Sequence, residues 1–425
     1  MLKELKNIDE FESYLRDREV ESSSEVVKSV IDIIDEVKKN KDKALIEYTE
    51  KFDGVKLDNI KVSKEEIEEA YNLVDKDFLI AMNEAMKNIE EFHKKQVKEG
   101  YEIVKEDNVY LGQRVLPLEK VGVYVPGGTA AYPSSVLMNV IPAKIAGVKK
   151  IVMTTPPSKD NRINPYILAT AKLVGIDTIY KVGGAQAVAA LAYGTETVMK
   201  VDKIVGPGNT YVANAKKLVY GKVDIDMIAG PSEILVIADE NADPVYVASD
   251  LISQAEHDVN ASSILLTTSC ELLEEVNKEL VKQSFVLARK DIIIKSLENY
   301  GVSMILDSIE ECINVSNQIA PEHLELMVEN PKSYLDLIEN AGSVFLGYTT
   351  CESIGDYFGG TNHVLPTNGT ARFYSALNVD NYTKKSSYIH YSKEALDKVG
   401  DMIINIANHE GLHGHANAVK VRMKK

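Results

Sequence analysis

Most of the chain's eight histidines lie in four short segments of its last two-fifths: QAEHD at 254–258, APEHLE at 320–325, GDYFGGTNH at 355–363 and HEGLHGH at 409–415. Packing histidines sit in apolar or amphipathic surroundings at a regular period. These sit beside Asp, Glu, Gln and Gly, company suited to metal binding and proton transfer. In QAEHD, Gln254 and His257 are three apart on an expected helix and share a face, while Glu256 points elsewhere. Taken alone, that pair reads more readily as a polar helix end, and GDYFGGTNH is what shifts the balance towards a ligand pair. Asp356 and His363 are expected on a glycine-rich loop able to reach a metal or substrate. Glu322 and His323 follow Pro321 in what reads as a helix start, where adjacent side chains diverge, so a mutual ion pair is not expected. A histidine titrating near neutrality suits a general base, with a carboxylate beside it to activate water or orient the base; a capping Glu beside an exposed His is the rival reading. His409, Glu410, His413 and His415 crowd the tail, and spacing alone does not say which is a ligand.

Three glycine-rich turns carry the other chemistry. VPGGTAAYPSS, VGGAQAV and VGPGNTYV each follow an expected strand and open a helix, where free backbone N–H groups and the helix dipole favour phosphate. None has the full GxGxxG with a later acidic residue. Read singly, each is also an ordinary tight connection.

These segments must be positioned by a large fold. With 425 residues and 45% hydrophobic content, at least two domains are expected. Residues 1–100 are rich in Glu and Lys with apolar residues at helical spacing. From about 120, β-branched runs ending in Gly or Pro alternate with alanine-rich helical stretches, the pattern of parallel sheets wrapped by helices. The expected fold class is α/β, with two Rossmann-like parallel-sheet domains. The boundaries read as a helical N-terminal region at 1–119, partly packed on the second α/β unit; a first α/β domain at 120–230; a second at 231–380; and a tail at 381–425. DIDMIAGPSE marks the crossing between the α/β units. A tail too small for its own core must pack elsewhere, and another subunit is one candidate surface.

Composition excludes several classes. Lys plus Arg at 48 against Asp plus Glu at 64 leaves a net charge of −16, so nucleic acid and anionic membranes are poor partners. The charged, amphipathic N-terminus does not read as a signal peptide, no stretch is apolar for the length of a membrane span, and a cytoplasmic location is expected. Three cysteines without CxxC spacing argue against a disulfide framework or thiolate metal site, leaving His, carboxylate or amide as ligands.

Taken in order, VYVPGG, GGAQAVAALAYGT, VDKIVGPGN, AGPSE, SQAEH, PEHLEL, GDYFGGTNHVLPT and EGLHGHANAV closely resemble histidinol dehydrogenases from about residue 110 to 420. The ordered set is far more specific than any one motif. The resemblance implies NAD-dependent oxidation of L-histidinol to L-histidine through L-histidinaldehyde, ending histidine biosynthesis. It implies a homodimer whose tail is exchanged between subunits. It further implies one Zn2+ per subunit, held by Gln254, His257, Asp356 and, from the second subunit, His415. Glu322 and His323 would be the acid/base pair. Ser232, Glu410 and the metal-site residues would contact substrate, as would His323; Tyr124, Gln186 and Asn209 would contact NAD. No role is assigned to His363. Cys351 departs from the family pattern and leaves a thiohemiacetal route open for the aldehyde step. A zinc hydrolase would have no use for the three turns, and a non-catalytic anion binder would leave the Glu322–His323 pair idle.

Overall fold

The computed structural model describes residues 1–7, 10–11, 13–14, 23–127 and 131–423. Strand β1 (Lys3–Glu4) is followed by helices α1 (Ser24–Asp53, broken at Lys41), α2 (Lys64–Leu73) and α3 (Lys76–Lys94). Local chemistry sets their starts: Ser63 and Glu66 form a reciprocal capping box on α2, and the Asp75 side chain caps α3. The helical expectation for 1–119 then fails at its end. Residues 101–117 form an antiparallel hairpin, β2 (Tyr101–Lys105) and β3 (Val109–Pro117), turning on Asp107 and Asn108 at positive φ.

The first α/β unit is a five-stranded parallel sheet of order β6-β5-β4-β7-β8. Its strands are β4 (Lys120–Tyr124), β5 (Lys150–Thr154), β6 (Ile179–Tyr180), β7 (Lys203–Val205) and β8 (Asp224–Ile225). Between them run α4 (Pro133–Ala146), α5 (Pro165–Leu173), α6 (Gly184–Tyr193) and α7 (Thr210–Val219). Helices α4 and α5 cover one face together with α2 and α3; α6 and α7 cover the other together with α1. The N-terminal helices therefore pack on the first sheet rather than the second. The start of the chain does reach the second: β1 pairs with β11 (Gly301–Ile305), Leu5 and Phe11 join its core, and the Tyr14 hydroxyl donates to the Tyr300 carbonyl at 3.0 Å.

The second unit is a six-stranded parallel sheet, β1-β11-β10-β9-β12-β13. It comprises β9 (Glu233–Ala238), β10 (Ser262–Thr267), β12 (His323–Met327) and β13 (Ser343–Leu346), with α8 (Pro244–Ala255), α9 (Cys270–Ser284), α10 (Lys290–Tyr300), α11 (Ile309–Ile319) and α12 (Glu352–Tyr357). Every residue of β9, β10 and β12 is buried, as expected of strands covered on both faces. The chain crosses between sheets over 226–232, inside DIDMIAGPSE.

In the tail, β14 (Thr383–His390) pairs antiparallel with β3, and α13 (Lys393–His409) folds against α14 (His413–Lys420). Apolar side chains stay exposed on this extension, among them Ile389, Met402, Ile406 and Val421. Among the described residues no helix is long and apolar enough to cross a membrane.

Candidate active site

Two places gather the sequence-predicted residues. At the carboxyl ends of the first sheet, Tyr124 closes β4, Gln186 lies in the first turn of α6 and Asn209 caps α7. The Tyr124 hydroxyl accepts from Gly184 N–H at 3.1 Å, and Asn209 accepts from the N–H groups of Tyr211 and Val212. Gly206 cannot be replaced without strain: its φ is +111°, and a Cβ would lie 2.0 Å from the Tyr124 carbonyl oxygen. Its peptide is gripped from both sides, N–H to Asp226 Oδ2 at 2.7 Å and C=O to Lys216 Nζ at 2.9 Å, and the fully buried Lys216–Asp226 ion pair closes the grip. The first glycine-rich turn is only partly visible, because residues 128–130 lie outside the described residues.

The second place lies at the amino ends of β9, β10 and β12. Glu322 and His323 are not on a helix start. Ala320, in the left-handed conformation, ends α11, and the chain enters β12 at His323. Proline followed by Glu mimics a helix N-terminus in sequence, but the following Leu-Glu-Leu-Met belongs between β9 and β13, and sheet pairing decides. The two side chains also come closer than expected, with Glu322 Oε2 3.7 Å from His323 Nδ1.

The geometry fixes the imidazole. His323 Nδ1 lies 3.0 Å from the Glu233 carbonyl oxygen, an acceptor only, so Nδ1 carries the hydrogen and the neutral ring presents a lone pair at Nε2. Nε2 is buried without a hydrogen-bond partner among the described residues, 3.7 Å from Glu352 Oε1 and 3.8 Å from Asp356 Oδ1. Burial works against the charged ring, yet Glu352, Glu322 and Asp356 outweigh it and hold His323 well above the ordinary histidine value. Glu322 is pushed up to about 8 by burial, although His323 and a hydrogen bond from Glu233 N–H at 2.9 Å oppose the shift.

Gln254 and His257 arrive on the last turn of α8 and just past it, both turned inward, with Gln254 wholly buried. With the Gln254 amide nitrogen 3.0 and 3.2 Å from the Glu352 carboxylate oxygens, its carbonyl oxygen turns away from them and is left to accept or ligate. Asp356 sits in the short helix α12, not in a loop. Burial would raise it, but His323, His363 and His257 reverse that and hold it below the ordinary carboxylate value. His257 and His363 are both lowered by burial, which favours their neutral rings. The ligand atoms of His257, Glu352 and Asp356 lie within 4.8 Å of one another. One imidazole, carboxylate oxygens and a buried amide at a helix C-terminus fit a divalent cation such as zinc.

Glu352 was not anticipated, although it stands four residues before Asp356 and so shares a helix face with it. Its N–H donates to Glu325 Oε1 at 2.8 Å, and burial pushes its carboxyl up to about 7. Behind it, Asp250 and Glu325 are both raised by burial, so that one holds a proton for the other. His363 joins the site with Nδ1 3.0 Å from the Asp356 carbonyl oxygen and Nε2 3.3 Å from Ser135 Oγ, tying it to α4 of the first unit. Ser232 lies just before β9, beside Glu233. Cys351 precedes α12, partly buried. Glu410 and His415 are different: both are exposed on the α13–α14 extension, and this chain does not bring them to its own cluster. His409 and His413 bond locally there, to the Asn405 carbonyl and the Asn408 side chain.

A family model described as histidinol dehydrogenase matches residues 16–423. The chain belongs to the histidinol dehydrogenase family. It is similar to the histidinol dehydrogenase of Clostridium acetobutylicum, with 59% identity over 410 residues covering 96% of this chain and 95% of that one. To that of Listeria monocytogenes it is 55% identical over 404 residues, covering 95% of this chain and 94% of that one. The crystal structure of histidinol dehydrogenase from Elizabethkingia anophelis superimposes with a TM-score of 0.93 at 44% identity, covering 99% of this chain and 98% of that one. As a histidinol dehydrogenase the protein is an oxidoreductase, and the α/β fold with two parallel sheets is the one expected.

Proposed function

We propose that the protein oxidises L-histidinol to L-histidine through L-histidinaldehyde, in two hydride transfers to NAD, as the end of histidine biosynthesis in the cytoplasm. The observation that carries the reading is His323: a buried imidazole whose tautomer is set by the Glu233 carbonyl and whose Nε2 faces the cluster without a partner. In its neutral form that nitrogen would take the alcohol proton as hydride leaves the carbinol carbon, and the carboxylates that raise its pKa favour the transfer. Aldehyde oxidation needs an added water. Glu322, within 3.7 Å of His323, is the group assigned to activate it, with His323 again receiving a proton. A bound zinc would fix the imidazole and amine nitrogens of the substrate, leaving the terminal carbon free.

Gln254, His257 and Asp356 would hold the zinc, joined by His415 of the partner subunit; Ser232 and the partner's Glu410 would contact substrate. The apolar side chains left exposed on β14 and α13 support this exchange, because a lone chain would not leave them in water. Tyr124, Gln186 and Asn209 would line the NAD site at the openings of α6 and α7, where backbone N–H groups favour its phosphates. Histidinol and NAD supplied together should yield two NADH per histidine formed. One NADH per turnover, with aldehyde as the end product, would overturn the four-electron reading.

A further inference from the structure

Lys216 breaks the pattern of the helix that carries it. On α7, Val212, Ala215 and Val219 face the core, and position 216, four residues after Val212, falls on the same stripe. An apolar side chain would continue that packing. The chain instead places a fully buried ammonium there and gives it Asp226, also buried, as its ion partner. Lysine is almost never buried without a partner, and a buried ion pair seldom stabilises more than apolar side chains of similar size. Stability alone therefore does not account for the pair.

What the pair holds is a single glycine. Asp226, directly after β8, accepts with Oδ2 from the Gly206 N–H at 2.7 Å and with Oδ1 from the Met227 N–H at 2.7 Å. Lys216 Nζ donates to the Gly206 carbonyl at 2.9 Å. The peptide groups on both sides of the Gly206 Cα are thus fixed, one from the start of the crossing between the sheets and one from the helix that the turn opens. Gly206 needs such fixing. A φ of +111° suits glycine, but the freedom that lets glycine adopt it also lets glycine leave it. Pro207, next in the chain, has no N–H of its own, so the direction of the N–H groups that follow depends on how Gly206 is set.

We propose that Lys216 and Asp226 are positioning residues of the dinucleotide site: by holding both sides of Gly206 they set the VGPGN turn so that the backbone opening α7 is directed at the cofactor's phosphates. The inference rests on reading the first sheet as the NAD site. Both side chains are buried and act through the turn, so their loss should be felt by NAD and not by histidinol.

The test is steady-state kinetics of the zinc-loaded enzyme, varying NAD and histidinol in turn, on Lys216→Met and on Lys216→Met/Asp226→Asn, which leaves no buried charge unpaired. In both variants kcat/KM for NAD should fall by about tenfold, as for the loss of one hydrogen bond from a charged donor, while kcat/KM for histidinol at saturating NAD stays within about twofold of wild type. The double variant should melt near the wild-type temperature, so that a general loss of structure cannot produce the split. Equal losses for both substrates, no loss for NAD, or failure of both variants to fold would make the pair a structural one and overturn the proposal. Wild type that reduces no NAD with histidinol would overturn the NAD reading itself, and this proposal with it.

Discussion

The residues assigned to NAD sit past the carboxyl ends of the five-stranded sheet, where α6 and α7 begin; the His–carboxylate cluster sits before the amino ends of the six-stranded sheet, where α8 and α11 finish. Ligands of open parallel sheets ordinarily bind at the carboxyl edge. The first sheet follows that rule and the second reverses it. The reversal has a physical sense. Helix beginnings offer N–H groups and positive potential to phosphates, whereas helix ends offer carbonyls and negative potential to cations. Sharing one architecture, the two sheets would serve opposite charges because the chain uses opposite edges of them. Ser135 at the start of α4, bonded to His363, is where the two places touch.

Breaking the second region should cost most. His323→Ala removes the buried, unpartnered Nε2 that lies beside Glu352 and Asp356, and should slow both oxidations by about a hundred- to ten-thousandfold, read as NADH formed from histidinol and, separately, from histidinaldehyde. Retention of either half-reaction would remove it as the shared base. Glu322→Gln should be more selective. The aldehyde step, which alone needs activated water, should fall by about a hundredfold, and the alcohol step by much less. Equal losses would end that division of labour.

A mixed refolding experiment sharpens where the second region ends. His257→Ala and His415→Ala should each be inactive. Dimers formed by denaturing and refolding the two together should recover about a quarter of wild-type activity, because about half are mixed and each mixed dimer holds one intact site. Mixed dimers without activity would place His415 within its own chain's site.

The smallest effect concerns the seam between regions. His93 is buried and lowered from 6.5 by desolvation, with Nδ1 on Gln96 and Nε2 on Asn362, next to His363. Because the folded value lies below the unfolded one, the unfolded chain binds more protons in between. Stability is then complete above pH 6.5 and is lost as pH falls through the folded value. Urea midpoints of His93→Gln should fall less steeply below pH 6.5 than those of wild type. Parallel slopes would mean that His93 contributes nothing to the acid limb.

Much of this was legible in residue order. The runs IVMTT and EILVIA, closed by turn residues, announce buried parallel strands, and QAEHD and GDYFGGTNH announce the cluster they position. Other parts were hidden for physical reasons. The hairpin 101–117 has a fully exposed outer strand, so YEIVK carries no burial pattern to read. His323 looked helical because Pro-Glu resembles a first turn, and only pairing to β9 and β13 makes it a strand. Glu352 was overshadowed by Asp356, though the i, i+4 spacing was there. The role proposed for His415 requires a second chain, whereas a sequence read alone does not convey that this residue lies exposed and away from its own chain's cluster.

The separation of the two edges makes cofactor binding independent of the metal. The decisive measurement is NAD affinity and histidinol turnover in the same preparation before chelation, after it, and after zinc is restored. The metal-free protein should bind NAD within about twofold of the starting value while producing no NADH from histidinol, and zinc should return the turnover. Turnover that survives rigorous metal removal, or NAD affinity that disappears with the metal, would contradict it.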